Sequence, residues 1–178
     1  MMGLFQIKFE FNTVEDRLLL RIFEKESNRP CVEYRLWLTR RFVNLFISGL
    51  DRLIEEDLAG DMQISPDAID AMKKFQHEAA ISKADFSTSY AAAENCDVFT
   101  DRPLLVVMLK IKKKTKGNYI LSLLNHENIG IHLTAGMDLI YTLKKMLLDS
   151  VGSAAWNQPL FQTNEEKAKT TEPPGYIS

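Results

Sequence analysis

The stretch CVEYRLWLTRRFVNLFISGLDRLI, from Cys31 to Ile54, limits what this chain can fold into more than any other. Its first part alternates: Val32, Tyr34, Leu36 and Leu38 are separated by Glu33, Arg35 and Trp37, the period of a half-buried strand. Thr39 follows where a helix N-cap belongs. Its hydroxyl can accept from one of the early helix amides that have no intrahelical partner. Beyond it Val43, Phe46, Ile47, Leu50 and Ile54 recur at the helical spacing. The stretch therefore reads as a strand running through a cap into a long amphipathic helix.

A similar unit returns as NIGIHLTAGMDLIYTLKKMLL, Asn128 to Leu148. Ile129, Ile131 and Leu133 alternate, Thr134 takes the cap position, and a helix is expected from Ala135 to about Val151. The expected fold class is α+β: two antiparallel β-meanders, each followed by a long amphipathic helix, with one further helix between them. Internal duplication would explain the recurrence. So would chance, because the apolar phases of the two helices differ by about two positions when Leu38-Thr39 is laid on Leu133-Thr134.

Around these units the first meander takes strands at Leu4–Phe11, Arg17–Glu24 and from Cys31, and its helix runs from Arg40 to about Leu58. Ser65-Pro66-Asp67 opens a second helix with cap, first-turn proline and acid in order, and Ile69, Met72, Phe75 and Ala79 form its inner stripe. Residues 82–100 read as an irregular connection with one short strand at Phe86–Tyr90. Leu104–Ile111 is apolar nearly throughout, as a centrally buried strand is. A turn at Gly117-Asn118 and strands at Tyr119–Leu124 and Ile129–Leu133 complete the second meander. Residues 1–156 are expected to form a single domain with halves at about 1–81 and 82–156. Residues 157–178 are polar, contain prolines, and read as a flexible tail.

Charge narrows the partners. With 22 basic and 24 acidic residues the formal net charge is -2, so no global field draws the chain to nucleic acid or to a membrane. No apolar run approaches the roughly 20 residues that span a bilayer, and the N-terminus alternates where a signal peptide is continuously apolar. Cys31 and Cys96 have neither metal nor redox spacing. A disulfide is therefore not expected, and a reducing compartment, the cytoplasm, is the expected location.

The search for chemistry yields little. His77, His126 and His132 form no metal-ligand pair, Ser48 and Ser150 stand in helices, and no Gly-x-Ser-x-Gly turn or phosphate loop is present. Cys96 precedes Asp97, whose charge opposes thiolate formation. No enzyme activity, cofactor or metal is expected.

Two features stand above this background. One is a lysine hairpin, Lys110, Lys112, Lys113, Lys114 and Lys116, which suits either phosphate contact or the protection of an exposed sheet edge. The other is the outward face of the first meander, with Arg21, Phe23, Arg35 and Trp37. Aromatics among arginines suit a protein interface or the stacking of bases, and the same face could also pack on the chain's other half. The leading expectation is a non-catalytic interaction or assembly module, a homodimer or a domain that docks on another protein. The alternative is a single-stranded nucleic-acid-binding protein. Strand meanders each closed by a helix, twice over, resemble in element order the duplicated folds of the PUR-repeat and Whirly proteins. That likeness carries no residue motif and no site.

Overall fold

The first meander forms as its alternation requires. In this computed structural model, which describes residues 4–25, 30–59, 66–83 and 96–156, β1 (Leu4–Asn12), β2 (Arg17–Lys25) and β3 (Val32–Leu38) pair antiparallel in unbroken register. Ile7, Phe9 and Phe11 stand opposite Ile22, Leu20 and Leu18, which stand opposite Tyr34, Leu36 and Leu38. Residues opposite one another share a face, so these nine make one apolar wall. The turn between β1 and β2 is closed by the Asn12 side-chain oxygen, which accepts from the Val14 and Glu15 amides.

The helix α1 (Arg40–Ala59) starts at the expected cap. The Phe42 amide donates to Thr39 Oγ1 at 3.2 Å and the Val43 amide to the Thr39 carbonyl at 2.9 Å. Val43, Phe46, Ile47, Leu50 and Ile54 are buried, joined by Phe42, Leu53 and Leu58. The second helix, α2 (Pro66–Lys83), is rotated relative to expectation: Phe75 is 73 % exposed and Ala80 is buried. The cause is what the helix packs on. It lies along a third helix, meeting Tyr141 with Gln76 and His77, and of its described side chains only Met72 and Ala80 reach the apolar core. Ser65, the side chain of Ile69, the expected strand at Phe86–Tyr90 and the tail at 157–178 lie outside the described residues.

Past the second helix the chain returns to the first sheet. Two short strands, β4 (Asp97–Val98) and β5 (Leu104–Leu105), pair parallel with β3. The pairing Val32↔Asp97 sets the preceding residues side by side, and Cys31 and Cys96 form a disulfide. This corrects the expectation of two free cysteines, and it removes the ground on which a reducing compartment was inferred. Spacing could not foretell it. The two cysteines are 65 residues apart, and only a parallel strand pairing brings them together.

Leu104–Ile111 is not one buried strand. Its start pairs with β3, the Val106 amide donates to the Trp37 carbonyl, the Val107 amide donates to the Leu124 carbonyl, and β6 (Met108–Thr115) then enters a second sheet. The inward parity changes on the way: Leu104 and Val106 join the core, then Leu109 and Ile111 do. A stretch that serves two sheets with opposite parity has to be apolar at both.

The second sheet is β6-β7-β8, with β7 (Asn118–Leu124) in the middle and β8 (Gly130–Gly136) beyond it. The β7–β8 turn is built by Asn125, whose side-chain oxygen accepts from the Glu127 and Ile129 amides at 2.9 Å. Gly130 sits so close to β7 that an added Cβ would lie 2.0 Å from the Leu123 carbonyl oxygen. The helix α3 (Met137–Ser153) follows. Thr134 does not cap it: β8 continues through Thr134, and the cap residue is Gly136, with no side-chain hydrogen bond. The two strand-to-helix junctions are thus built differently, and what recurs between the halves is element order.

Buried side chains from β2, β3, α1, β7, β8 and α3 form a single cluster, against which Ile7, Phe9 and Phe11 of β1 pack. At its edge Trp156 meets Phe11 edge-on and donates from Nε1 to Asp16 at 2.9 Å, while Arg40 lies over its ring and pairs with the same carboxylate. No helix among the described residues is long and apolar enough to cross a membrane.

Candidate interaction face

The five-stranded sheet has its apolar wall on one face only. On the other, register fixes three rows of side chains. Glu10, Leu19, Trp37 and Leu105 form one row, Lys8, Arg21 and Arg35 the next, and Gln6, Phe23, Glu33 and Val98 the third. None of Leu19, Trp37, Val98 and Leu105 belongs to the core cluster. Leu105 is 39 % exposed, Val98 is 43 % exposed, and Leu19 and Trp37 are half-buried. Phe23 is the exception on this face, buried at 7 % exposure.

The middle row puts three cations side by side, an arrangement that needs compensation. The chain supplies it. Arg21 donates to Glu33 at 2.6 Å and approaches Glu10 at 3.6 Å, and Lys8 pairs with Glu10 at 2.5 Å. Arg35 donates to the carbonyls of Thr100 and Asp101, both at 3.0 Å, in the loop between β4 and β5. Arg21, Phe23, Arg35 and Trp37 therefore do share a face, but its arginines are structural struts. Only part of this compensation was legible in the sequence. Glu10 and Glu33 were visible on the same parity, but the loop carbonyls reach Arg35 only through the parallel pairing of β4.

The lysine hairpin is not gathered into one patch. Lys110 and Lys112 project from one face of the second sheet, Lys113 shares the parity of the core residues Leu109 and Ile111, and the register shifts between Lys113 and Thr115. Lys110 approaches Asn128 at 3.4 Å. The acids along the second half of α1 have partners of their own. Asp51 pairs with Lys144, Glu55 with Lys73, Glu56 with Arg52, and Asp57 accepts from the Tyr119 hydroxyl at 2.6 Å. Burial, then Asp57, drives the Tyr119 phenol well above its usual pKa.

A cleft of about 230 Å³ lies where α1, α2 and α3 meet, lined by Ile54, Tyr141 and Leu148 below and Asp51, Lys73, Lys74, His77 and Lys144 at the rim. Its Lys73 and Lys144 are held by Glu55 and Asp51, and the Tyr141 hydroxyl donates to Gln76 at 2.9 Å. Burial, followed by Asp57, pushes Tyr141 up to about 12. The cleft is a helix junction with two of its rim lysines held in ion pairs.

Of the three histidines, His126 is exposed beside Glu127, and His132 Nδ1 lies 2.7 Å from Ser122 Oγ across β7 and β8. Ser122 stands mid-strand directly opposite His132, so the contact works as a cross-strand hydrogen bond. No cluster of three or more His, Cys, Asp or Glu suited to a metal occurs among the described residues.

Comparison of the chain with protein-family models, with curated proteins and with solved structures finds no match. The element-order likeness to PUR-repeat and Whirly proteins therefore gains no support from them.

Proposed function

We propose that the domain is a non-catalytic protein-interaction module, and that it docks a protein surface on the outer face of the five-stranded sheet with Trp37 as the anchor. One observation carries this reading. The apolar residues Leu19, Trp37 and Leu105 lie in one row outside the core and partly exposed, while Arg21 beside them is paired with Glu33 and Glu10 and Arg35 donates to two loop carbonyls. An apolar strip beside charged groups that already have partners is what a protein surface can cover at low cost. A phosphate-tracking face needs the opposite, cations that exchange counterions for phosphates. Here a phosphate would have to displace Glu10, Glu33 or two carbonyls first.

The test compares wild type with Trp37→Ala by sedimentation of the assembly the domain forms, and by fluorescence titration with a single-stranded oligonucleotide. Loss of a hot-spot aromatic costs 2 kcal/mol or more, roughly a 30-fold weaker assembly. The fold, checked by a thermal melt, should be much less affected. Oligonucleotide binding that falls with Trp37→Ala while assembly persists would move the function to nucleic acid. A melt that collapses would make Trp37 a structural residue.

A further inference from the structure

A sheet edge is a row of unpaired amides and carbonyls, and proteins blunt it with short strands, bulges, prolines or charge. Two edges here are treated so. β4 and β5 are two residues each, and β6 carries its lysines and a register shift. β1 is different. It pairs with β2 over all nine residues without a shift, contains no proline, and no strand among the described residues pairs with its other side. Its inward residues Ile7, Phe9 and Phe11 pack on the core yet stay half-buried.

The order of side chains along β1 selects what can add there. Antiparallel partners must share a face, so two copies of β1 can pair only in registers that keep the parity. Centred on Lys8 or on Glu10, the pairing opposes like charges. Centred on Phe9, it sets Lys8 opposite the other copy's Glu10 and Glu10 opposite its Lys8, with Phe9 against Phe9 and Ile7 against Phe11. Lys8 and Glu10 already pair along their own strand, so the four charges about the two-fold would alternate in sign. The edge strand β8 has no acid and no lysine, and offers no such selection.

We propose that a second copy of this chain adds antiparallel at β1, about a two-fold axis at Phe9, and joins the two five-stranded sheets into one. This does not rest on the docking role of the outer face: the dimer forms at the sheet's edge and leaves Trp37 uncovered.

Sedimentation of the full chain and of charge variants tests it. Wild type should be a dimer whose dissociation constant rises about tenfold or more in Lys8→Glu and in Glu10→Lys, each of which opposes like charges twice. The exchange K8E/E10K restores opposite charges in every pair and should return affinity to near the wild-type value. Trp37→Ala should leave this edge-paired dimer intact and weaken only assembly beyond the dimer through the outer face, so failure of the edge and failure of the face are seen separately. Amide exchange in residues 6–12 should slow as concentration rises through the dissociation constant, a readout that does not depend on how well the variants fold. A monomeric wild type, a dimer indifferent to the single changes, or a double exchange that fails to restore it overturns the proposal.

Discussion

Thr39 does at the scale of one residue what the whole first half needs, because the chain must leave a strand and enter a helix within a single position. Its hydroxyl satisfies the Phe42 amide and its carbonyl starts the helix ladder with Val43. Thr39→Ala removes the first of these and should lower unfolding free energy by about 1 kcal/mol in a urea melt. An unchanged melt would show that water serves the amide as well. This cap was legible because its signal is local: a threonine at the point where the period changes. Thr134 offered the same local signal and misled, since the strand pairing of β7 with β8 carries three residues further than the alternation Ile129, Ile131, Leu133 suggested. Tertiary pairing overrode the cap pattern there. Asp16 was not legible at all, because its partners Arg40 and Trp156 come from other elements, and together they hold its carboxyl below the usual range.

Between elements, the same division holds. The stripe of α1 was readable because it buries a broad apolar face in the main core. The α2 stripe was not, because a helix lying on another helix needs contacts of a mixed kind, and Gln76 and His77 supply them where Phe75 does not. His77 gives that junction a pH dependence. Burial first, and then Lys144 and Lys145, lower its pKa from the usual 6.5, while Glu78 and Asp149 act weakly the other way. The folded form disfavours the imidazolium, so the unfolded chain binds the proton more readily. The stability contribution is complete above 6.5 and declines as pH falls through that value toward the lower folded pKa. Melts at about pH 8 and about pH 5.5 should show less acid destabilisation in His77→Gln than in wild type. An equal loss in both proteins would assign the whole effect to carboxylates and remove His77 from it.

At the scale of the whole molecule the Cys31–Cys96 bridge ties together two strands 65 residues apart, and that is where sequence reasoning was most incomplete. The outer face could be assembled from alternation alone, since Arg21, Arg35 and Trp37 share parity on neighbouring strands. Its far border could not. β4 is two residues long, too short to register as a strand, and it pairs in parallel after an excursion through α2. Two ladder positions cannot offset the entropy of ordering such a connection. The bridge supplies what they lack: it closes a separation of 65 residues in the unfolded chain as well, which on the chain-entropy account is worth roughly 4 kcal/mol. It also brings Val98 beside Glu33, and holds the Phe99 ring 4.9 Å from Tyr34. The double variant Cys31→Ser/Cys96→Ser leaves no lone thiol to cross-link chains. Its unfolding free energy in urea should fall by several kcal/mol, and the Asp97 and Phe99 amides, which donate to Cys31 and Glu33 carbonyls, should exchange faster than those of β2. If the exchange at Asp97 and Phe99 instead tracks global unfolding, β4 is held by its side chains and the bridge only decorates it. If it accelerates alone, the border of the proposed docking face depends on the bridge, and reduction should weaken any assembly through Trp37 before it unfolds the domain.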